Sequence, residues 1–230
     1  MNDVSVLIYS CDAYADIWEI FFKLFYRYWK CPYPVYLTAE TKECQESGVE
    51  TINFIGDTWT DRIRQAVEKI PSEYIIGMCE DMFLRRDVRQ FIIDKCVRYM
   101  NQDARIACFN FEKDYNETLA CIYHNFGLKP PNGDYKKSCQ PSLWRKSILL
   151  EYLSVSQDPW EWEMSGTPDT YKHYIWIGDE NRLVFEYGFH DYKWFGIRKG
   201  KWVKDDVVPL FKKEGIDVDY SIRGFSEEER

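Results

Sequence analysis

The sequence contains no apolar run long enough to cross a membrane. No stretch approaches the roughly 18 consecutive apolar residues that a spanning helix needs. Nor does the N-terminal region combine a basic segment, an apolar segment and a cleavage site, which together mark a secretory signal. We therefore expect a cytoplasmic protein without a membrane span, and peripheral association with a membrane is compatible with the sequence.

Positive charge is also scarce. The 30 lysines and arginines are outnumbered by 38 aspartates and glutamates, so the formal net charge is −8. A chain with a negative net charge has no overall field that attracts phosphate backbones, and we predict no binding of nucleic acid. With 230 residues, of which 45% are apolar, the chain is long enough for one domain with a substantial core.

Paired cysteines are missing as well. The eight cysteines stand singly, without a Cys-x-x-Cys pair of the kind that holds zinc or carries redox chemistry. Cys79, Cys96 and Cys108 lie within apolar runs, where a free thiol packs as a small hydrophobic group. Because the sequence also lacks a secretory signal, we expect reduced thiols and no disulfide framework.

What the sequence does contain is a regular alternation of apolar segments. Short β-branched and aromatic runs predict strands at residues 4–9, 35–38, 51–55, 74–79 and 105–109. Apolar residues at helical spacing follow the first, third and fourth of these runs. Uniformly apolar strands that alternate with helices predict an α/β fold, a Rossmann-like sandwich in which helices flank a mainly parallel central sheet.

The second half of the chain is less periodic. We predict loops and a hairpin within residues 110–137, a helix at 142–153 and a late strand at 183–187. From Asp205 onward the sequence is highly charged and punctuated by glycine, which indicates solvated or frayed final residues. We therefore predict one domain over residues 1–204 and a charged C-terminal tail over residues 205–230.

Two acidic sites directly follow predicted strands. Asp12 comes three residues after the first strand, and Glu80-Asp81 follows the fourth without an intervening turn residue. Ligands of open parallel sheets bind at the carboxyl ends of the strands, where carboxylates suit Mg2+ or Mn2+ bound to a diphosphate. Taken alone, each site is equally or more typical of a surface turn. The hypothesis of a metal at Glu80-Asp81 therefore depends on their combination.

A second acidic cluster is flanked by tryptophan. In the segment 159–163, Glu161 and Glu163 alternate with Trp160 and Trp162. Indole rings that partly bury a carboxylate raise its pKa, which suits it to take a proton from a sugar hydroxyl near neutral pH. The alternative, given even weight, is a loop whose tryptophans fill the core while both glutamates face water.

A basic segment near the end of the predicted domain is the third candidate. His190 precedes Arg198-Lys199-Gly200-Lys201, so a histidine and three cations lie close to a late strand. A basic loop that contains glycine can close over a diphosphate, with Lys199 or Lys201 neutralising its charge. For any one of these residues, a solvated basic turn is the more common structure.

The order and composition of these segments resemble a known family, the small bacterial GT-A glycosyltransferases of the lipopolysaccharide and capsule type. The resemblance spans roughly residues 4–203 and depends on five short segments that occur in the expected order. They are the strand 4–9 ending near Asp12, the helix start 58–62, the strand leading into 80–83, the segment 140–145, and the segment 159–163.

The resemblance implies a nucleotide-sugar site in the first half of the chain and an acceptor site in the second. It assigns Asp12 to the base or the ribose, and it places Asp61 and Arg62 near the nucleotide. Glu80-Asp81 corresponds to the acidic metal motif, although Cys79 stands where that motif has its first aspartate. Asp81 is then the first choice of metal ligand, and Glu80 contacts either the metal or the ribose.

On the acceptor side, the resemblance implies that Glu163, with Glu161 as the alternative, is the catalytic base. The predicted reaction transfers a sugar from a nucleoside-diphosphate sugar to a glycan, a lipid-linked acceptor or another hydroxyl, with inversion and with Mn2+ or Mg2+. One rival is a sugar nucleotidyltransferase, but the loop 10–14 lacks the glycines and cations that such enzymes carry there. The other is a catalytically inactive nucleotide-sugar-binding protein of the same fold.

Overall fold

A computed structural model describes residues 3–113, 118–119, 123–131, 135–179, 182–187 and 196–227. The strands are β1 (Val4–Tyr9), β2 (Val35–Ala39), β3 (Val49–Asn53), β4 (Tyr74–Cys79), β5 (Ile106–Lys113), β6 (Phe126–Leu128), β7 (Ser142–Arg145), β8 (Lys172–Trp176), β9 (Ile197–Arg198) and β10 (Lys201–Trp202). The α-helices are α1 (Trp18–Tyr28), α2 (Trp59–Lys69), α3 (Gln90–Gln102), α4 (Lys146–Tyr152), α5 (Pro159–Met164) and α6 (Lys204–Glu214), and a 3-10 helix covers Asp12–Ile17.

Eight of the strands form one sheet in the order β3-β2-β1-β4-β7-β5-β8-β6. The first four of these are mutually parallel, and β5 and β8 are parallel to each other. Strand β7 is antiparallel to both of its neighbours, and β6 is antiparallel to β8 at the edge. The predicted α/β sandwich with a mainly parallel sheet is therefore confirmed. Since β1, β2 and β4 are parallel, their carboxyl ends meet at one edge.

Two apolar layers bury the faces of the sheet. One contains the apolar sides of α1, α3 and α6 together with Val4, Val6 and Ile8 of β1. The other contains α2, α4 and α5 together with Leu7 and Tyr9. Successive residues of β1 point to opposite faces, and all six of its residues are buried because helices cover both faces.

Helix α2 begins as the sequence predicts. Thr58 is its N-cap and accepts a hydrogen bond from the backbone amide of Asp61. Ile63, Ala66 and Val67 form the buried face. The cap satisfies an amide that has no partner inside the helix, and it sets the point at which the chain turns from the sheet edge into α2.

The segment 142–153 is only partly the helix that we predicted. Its first four residues form β7, which is buried along its length, and helix α4 begins at Lys146. In a strand that is covered on both faces, nearly all residues are apolar, so the sequence pattern does not distinguish the strand from a buried helix. The pairing of Leu143 with Ile76 and Phe109 decides the conformation.

Other predicted boundaries also change. Residues 183–187 were expected to form a strand, but within the described part they contribute one isolated bridge, between Tyr187 and Leu84. The late strand of the sheet is instead β8, which was not predicted from the sequence. After residue 204, the predicted tail begins with α6, whose Val207, Leu210 and Phe211 lie in the core. These buried side chains make 204–214 part of the domain, despite the surrounding charges.

Gly77 is required where β4 passes beneath the ring of Tyr9. A Cβ at this position would lie 3.0 Å from Cε2 of Tyr9 and closer still to its Cζ and hydroxyl oxygen. Both residues are buried, so the ring has little room to move. We expect Gly77→Ala to lower the free energy of unfolding by about 1–3 kcal/mol, the usual cost of overpacking a core.

Urea unfolding followed by circular dichroism measures this effect. Gly166→Ala is the matched control, because a Cβ there would have no heavy atom within 4 Å. The control is expected to change stability by no more than about 0.5 kcal/mol. Equal stabilities of the two variants would contradict the close approach of Tyr9 to β4.

Candidate functional site

The acidic pair lies at the edge of the sheet where β1 and β4 end side by side. Tyr9 of β1 is in register with Cys79, the last residue of β4, and Glu80 and Asp81 follow directly. A sulfur of Cys79 and one carboxylate oxygen each of Glu80 and Asp81 lie within 4.8 Å of one another. These three side chains could hold a divalent cation, which fits the metal site predicted from the sequence.

Burial dominates the electrostatics of this pair. It raises the pKa of Glu80 well above its ordinary range, with a further contribution from the charge of Asp81, although the Ser10 hydroxyl donates a hydrogen bond to Glu80. Burial also raises the pKa of Asp81 to about 7. Two adjacent carboxylates that lack full compensation favour a bound cation, because its charge stabilises their ionised forms.

Arg223 supplies positive charge to this edge from far along the chain. Its guanidinium pairs with Asp16, donates to the backbone carbonyl of Ala13 at 2.8 Å and lies 4.6 Å from the ring centre of Tyr14. This charge lowers the pKa of both acidic residues, but less than burial raises it. Arg223 was not among the residues predicted from the sequence, since no local pattern links it to the loop after β1, near the other end of the chain.

The basic segment folds into the β9–β10 hairpin, whose base contacts Asp81. The amide of Gly196 donates to the Asp81 carbonyl at 2.8 Å, and the amide of Ile197 donates to its carboxylate. Lys199 lies in the turn of the hairpin and Lys201 is the first residue of β10, and both residues are exposed. The hairpin therefore lies next to the acidic pair, and contact of its lysines with a diphosphate stays a prediction. His190 lies outside the described residues.

Asp12 organises the loop that follows β2. Its carboxylate accepts hydrogen bonds from the backbone amides of Glu40, Thr41 and Lys42 at 3.0–3.1 Å and from the Thr41 hydroxyl at 2.6 Å. The Thr41 hydroxyl is the largest cause of a pKa for Asp12 lowered to about 2. A direct contact with a nucleotide remains a prediction for this residue, which is already engaged by protein groups.

Glu40 connects Asp12 to the start of α2. One of its oxygens accepts from the Asp12 amide at 2.5 Å, and the other pairs with Arg62 at 2.9 Å. Arg62 also donates to the Thr58 carbonyl. The structure thus brings Asp12 and Arg62 into one network at the carboxyl ends of β1 and β2. Glu40 was missed, although it follows β2 as directly as Glu80 follows β4.

Asp61 lies at the start of α2 but faces a different neighbour. Its carboxylate accepts from the Thr58 hydroxyl at 2.6 Å and from the Ser156 hydroxyl at 3.2 Å. These bonds lower the pKa of Asp61, with the Thr58 hydroxyl as the largest cause. The residue therefore ties α2 to the loop before α5, and its contact with a nucleotide stays a prediction.

An open cavity of about 660 Å3 lies between the start of α1 and the loop after β2. Its lining includes Glu19, Lys42, Glu43 and Glu46. Three glutamates and one lysine give this cavity a negative lining, which disfavours the phosphates of a nucleotide. We therefore do not assign a diphosphate to it, in spite of its size.

The two tryptophan-flanked carboxylates have different surroundings. Glu161 is exposed and completes a capping box with Asp158 at the start of α5. Glu163 is partly buried and accepts a hydrogen bond from the backbone amide of Cys139 at 2.6 Å. Burial raises its pKa, although hydrogen bonds from Cys139 and Ser138 oppose the rise. Of the two carboxylates, Glu163 is the one that faces the sheet edge.

The tryptophans differ in the same way. Trp162 is fully buried and packs against Trp59 and Trp144, at ring-centre distances of 5.3 and 5.9 Å. Trp160 is 74% exposed. One tryptophan thus fills the core, as the structural alternative proposed, while the other is available at the surface.

A pair of thiols lies between the two acidic sites. Cys79 and Cys139 share a side-chain hydrogen bond that lowers the pKa of Cys139, but burial and the charges of Glu163 and Asp81 outweigh it and raise that pKa. Both carboxylates thus act on the same thiol. The acidic pair Glu80-Asp81 and the predicted base Glu163 therefore lie near the same thiol, at one edge of the sheet.

Comparison with known proteins adds little beyond the architecture. No protein-family model matches the sequence, and no curated protein matches it. Solved structures with a similar fold include S. aureus TarS, at 8% identity and a TM-score of 0.48 over 78% of this chain and 59% of that one, which is also known in complex with UDP-GlcNAc.

Cytidylyltransferases show similar levels of likeness. The bifunctional IspDF from Campylobacter jejuni is 15% identical, with a TM-score of 0.45 over 79% of this chain and 51% of that one. A cytidylyltransferase from Leptospira borgpetersenii is 13% identical, with a TM-score of 0.44 over 70% and 68%. The chain spans about half the length of IspDF, and likeness at this level does not distinguish between activities. Among the described helices, none has the length and apolarity to span a bilayer.

Proposed function

We propose that this chain is a glycosyltransferase that moves a sugar from a nucleoside-diphosphate sugar to a hydroxyl of a glycan or a lipid-linked acceptor, with inversion. One observation carries the proposal. A group with the ligands for a divalent cation and the partly buried carboxylate of Glu163 lie close together at the carboxyl edge of a mainly parallel sheet, where Asp81 and Glu163 both act on the Cys139 thiol. Transfer from a nucleoside diphosphate needs both a site for the leaving group and a base for the acceptor.

The donor lies along the ends of β1, β2 and β4. Arg62 and the loop shaped by Asp12 form the nucleoside side, with Asp61 close behind at the start of α2. Lys199 and Lys201 reach the diphosphate from the β9–β10 hairpin, whose base already contacts Asp81. Cations placed beside a departing diphosphate stabilise the charge that develops as the glycosidic bond breaks.

Asp81 would hold a divalent cation, with Glu80 as a second ligand. When bound, Mn2+ or Mg2+ supplies positive charge to the diphosphate oxygens. Arg223 steadies the loop after β1 through its bonds to Ala13 and Asp16, and it keeps some positive charge near the carboxylates. The chain's own contribution is thus to fix the leaving group in line with the acceptor.

Glu163 is the base of the proposed reaction. Its carboxylate takes the proton of the acceptor hydroxyl while that oxygen bonds to the anomeric carbon, and the bond from this carbon to the diphosphate breaks. Because burial raises the pKa of Glu163, the carboxylate is a stronger base than an exposed glutamate. The amide of Cys139 holds one oxygen of the carboxylate in place.

A sugar nucleotidyltransferase is the second candidate, and Arg223 is the observation that favours it. The loop 10–14 has no cation of its own, but Arg223 donates a hydrogen bond to the carbonyl of Ala13 within this loop. Such an enzyme would release pyrophosphate from a nucleoside triphosphate and a sugar phosphate. Detection of pyrophosphate with these substrates would favour the nucleotidyltransferase over the glycosyltransferase. Slow release of nucleoside diphosphate from a sugar nucleotide would support the glycosyltransferase.

The first experiment is a thermal-shift screen of nucleotide sugars, nucleoside triphosphates and free sugars, each with Mn2+ or with EDTA. A ligand at 100 times its Kd stabilises the folded state by about 2.7 kcal/mol, which raises Tm by roughly 5–10 °C in a chain of this length. We expect this response for at least one nucleotide sugar with Mn2+ and a smaller one with EDTA. No response to any nucleotide sugar would overturn the proposed function.

A further inference from the structure

Cys79 stands at a position of special interest within the metal-ligating group. It is the last residue of β4, it precedes Asp81 by two positions, and its side chain is only partly buried. Its sulfur lies within 4.8 Å of a carboxylate oxygen of both Glu80 and Asp81. The side chain therefore faces the same space as the two carboxylates, and the residue is not completely buried.

We propose that Cys79 is a metal ligand and that the site prefers thiophilic divalent ions such as Zn2+ and Co2+ over Mg2+. This inference rests on the proposed function, because it concerns the cation of the same site. Thiolate is a soft ligand that suits Zn2+, whereas Mg2+ requires oxygen ligands in a near-octahedral arrangement. One sulfur and two carboxylates form a mixed set, which differs from the all-oxygen site expected for Mg2+ or Mn2+.

The geometry and the number of ligands fit this choice. A sulfur and an oxygen bound to the same tetrahedral Zn2+ lie about 3.6 Å apart, given bonds of about 2.3 and 2.0–2.2 Å. The three side chains, whose ligand atoms lie within 4.8 Å of one another, would rotate inward to close around one ion. Three protein ligands leave a fourth position open, as in catalytic zinc sites, where a diphosphate oxygen can bind.

A buried hydroxyl supports a thiolate at this position. Tyr9 is 3% exposed, and its hydroxyl has no hydrogen-bond partner among the described residues. It lies within electrostatic reach of Cys79 and Cys139. A metal-bound thiolate accepts hydrogen bonds, so it would add an acceptor near this hydroxyl, whereas an unpaired buried donor is costly.

Binding of the ion has a simple proton balance. The Cys79 thiol now donates a weak hydrogen bond to the Cys139 carbonyl at 3.7 Å. When the metal binds, the sulfur forms a bond to the ion and its proton passes to solvent. No oxidant or reductant is involved, and Cys139 stays a protonated neighbour of the new thiolate.

Titration of the purified protein with Co2+ tests the inference without an activity assay. A cobalt–thiolate bond gives a charge-transfer absorption in the near ultraviolet, and an all-oxygen site does not. We expect this absorption in the unmodified protein and its loss in Cys79→Ser. We also expect the affinity for Zn2+ to fall by at least about 100-fold in that variant, since removal of groups that only hydrogen-bond to metal ligands already costs up to about 100-fold.

Matched variants separate Cys79 from the other thiols. Cys11→Ser removes a thiol that also feels the charge of Glu80 but lies outside the ligand group, so the absorption is expected to persist. Cys139→Ser is expected to retain it too. Cys79→Asp is expected to replace the preference for Zn2+ with a preference for Mg2+ and Mn2+. If Cys79→Ser does not fold, Zn2+ protection of Cys79 from alkylation in the unmodified protein, mapped by mass spectrometry, gives the same information.

Cobalt binding without the charge-transfer absorption, or alkylation of Cys79 that Zn2+ does not slow, would overturn the inference. Neither result would affect the proposed function if nucleotide sugars still stabilise the protein with Mn2+. Conversely, a cobalt–thiolate signal in a protein that no nucleotide sugar stabilises would support the metal site and contradict the proposed function.

Discussion

Glu163→Gln is expected to lower the turnover number for sugar transfer by about 100- to 10,000-fold, the usual contribution of a general base. The amide keeps the size of the side chain and one oxygen that can accept from Cys139, but it cannot take a proton. Binding of the donor is expected to stay close to that of the unmodified protein, because Glu163 lies on the acceptor side. The measurement is a transfer assay with a donor identified by thermal shift, together with calorimetry of donor binding.

The pH dependence of this activity has a defined direction. The base works as a carboxylate, so kcat/KM falls as the pH drops through the pKa of Glu163. Since burial raises that pKa, the fall is expected above the range of an ordinary glutamate. Glu163→Gln should lack this limb of the profile.

Glu161→Gln is the control, because it changes a neighbouring carboxylate of the same helix. Its side chain accepts from the Asp158 amide at 3.0 Å, and glutamine keeps an oxygen that can accept the same hydrogen bond, so stability is expected to change little. Transfer is expected to continue. If Glu161→Gln abolished transfer while Glu163→Gln retained it, the base would be Glu161.

Asp81→Asn is expected to raise the stability of the folded protein at pH 8 and to weaken its binding of a nucleotide sugar with Mn2+. In the protein without a cation, burial raises the pKa of Asp81 from 3.8 to about 7. Between these values the folded state holds a proton that the unfolded state has lost, so the free energy of unfolding decreases as the pH rises from about 4 to 7. Asparagine does not ionise, so Asp81→Asn should be more stable than the unmodified protein at pH 8.

At pH 8, Asp81→Asn is expected to raise the free energy of unfolding by on the order of 1 kcal/mol after solvent screening, which corresponds to about 2–4 °C in Tm. Glu80 has a raised pKa as well, and it therefore preserves part of the pH dependence in the variant. The same substitution is expected to weaken Mn2+-dependent binding of the nucleotide sugar by at least about tenfold. Thermal shift across pH 4–9, with and without Mn2+, measures both effects.

Asp12→Asn provides a control in which the expected change in stability has the opposite sign. Hydrogen bonds from Thr41 and its neighbours lower the pKa of Asp12 to about 2, so its contribution to stability is present above the ordinary pKa of aspartate and is lost as the pH falls toward 2. This variant should be less stable than the unmodified protein at pH 8. A shift of both variants in the same direction would contradict the electrostatics described for Asp81.

The strands that position the site were largely predictable. Val4–Tyr9 and Tyr74–Cys79 are short and apolar along their whole length, and no helix-period pattern competes with them. Their ends placed Asp12 and Glu80-Asp81 correctly at the carboxyl edge of the sheet. Strands β7 and β8 were not predicted, because in a segment covered on both faces the strand pairing, rather than the periodicity, decides the conformation.

Contacts between distant segments were the part that the sequence did not indicate. Arg223 and Asp16 are 207 residues apart, and no local spacing rule relates them. Cys79 and Cys139 become neighbours only because β7 pairs with β4 in antiparallel register. Similarly, the sequence indicated Glu163 as the base with Glu161 as the alternative, and only the structure shows that a capping box engages Glu161 and that the Cys139 amide contacts Glu163.

The sequence by itself determined the α/β class, the parallel strands of the first half and the acidic residues at their ends, since each depends on local periodicity and on the strand-end geometry of parallel sheets. The tertiary structure alone decided which charges surround Asp81, which carboxylate faces the sheet edge, and that the Cys79 sulfur lies close to carboxylate oxygens of both Glu80 and Asp81. These features depend on strand register and burial, which bring together residues that the sequence keeps far apart.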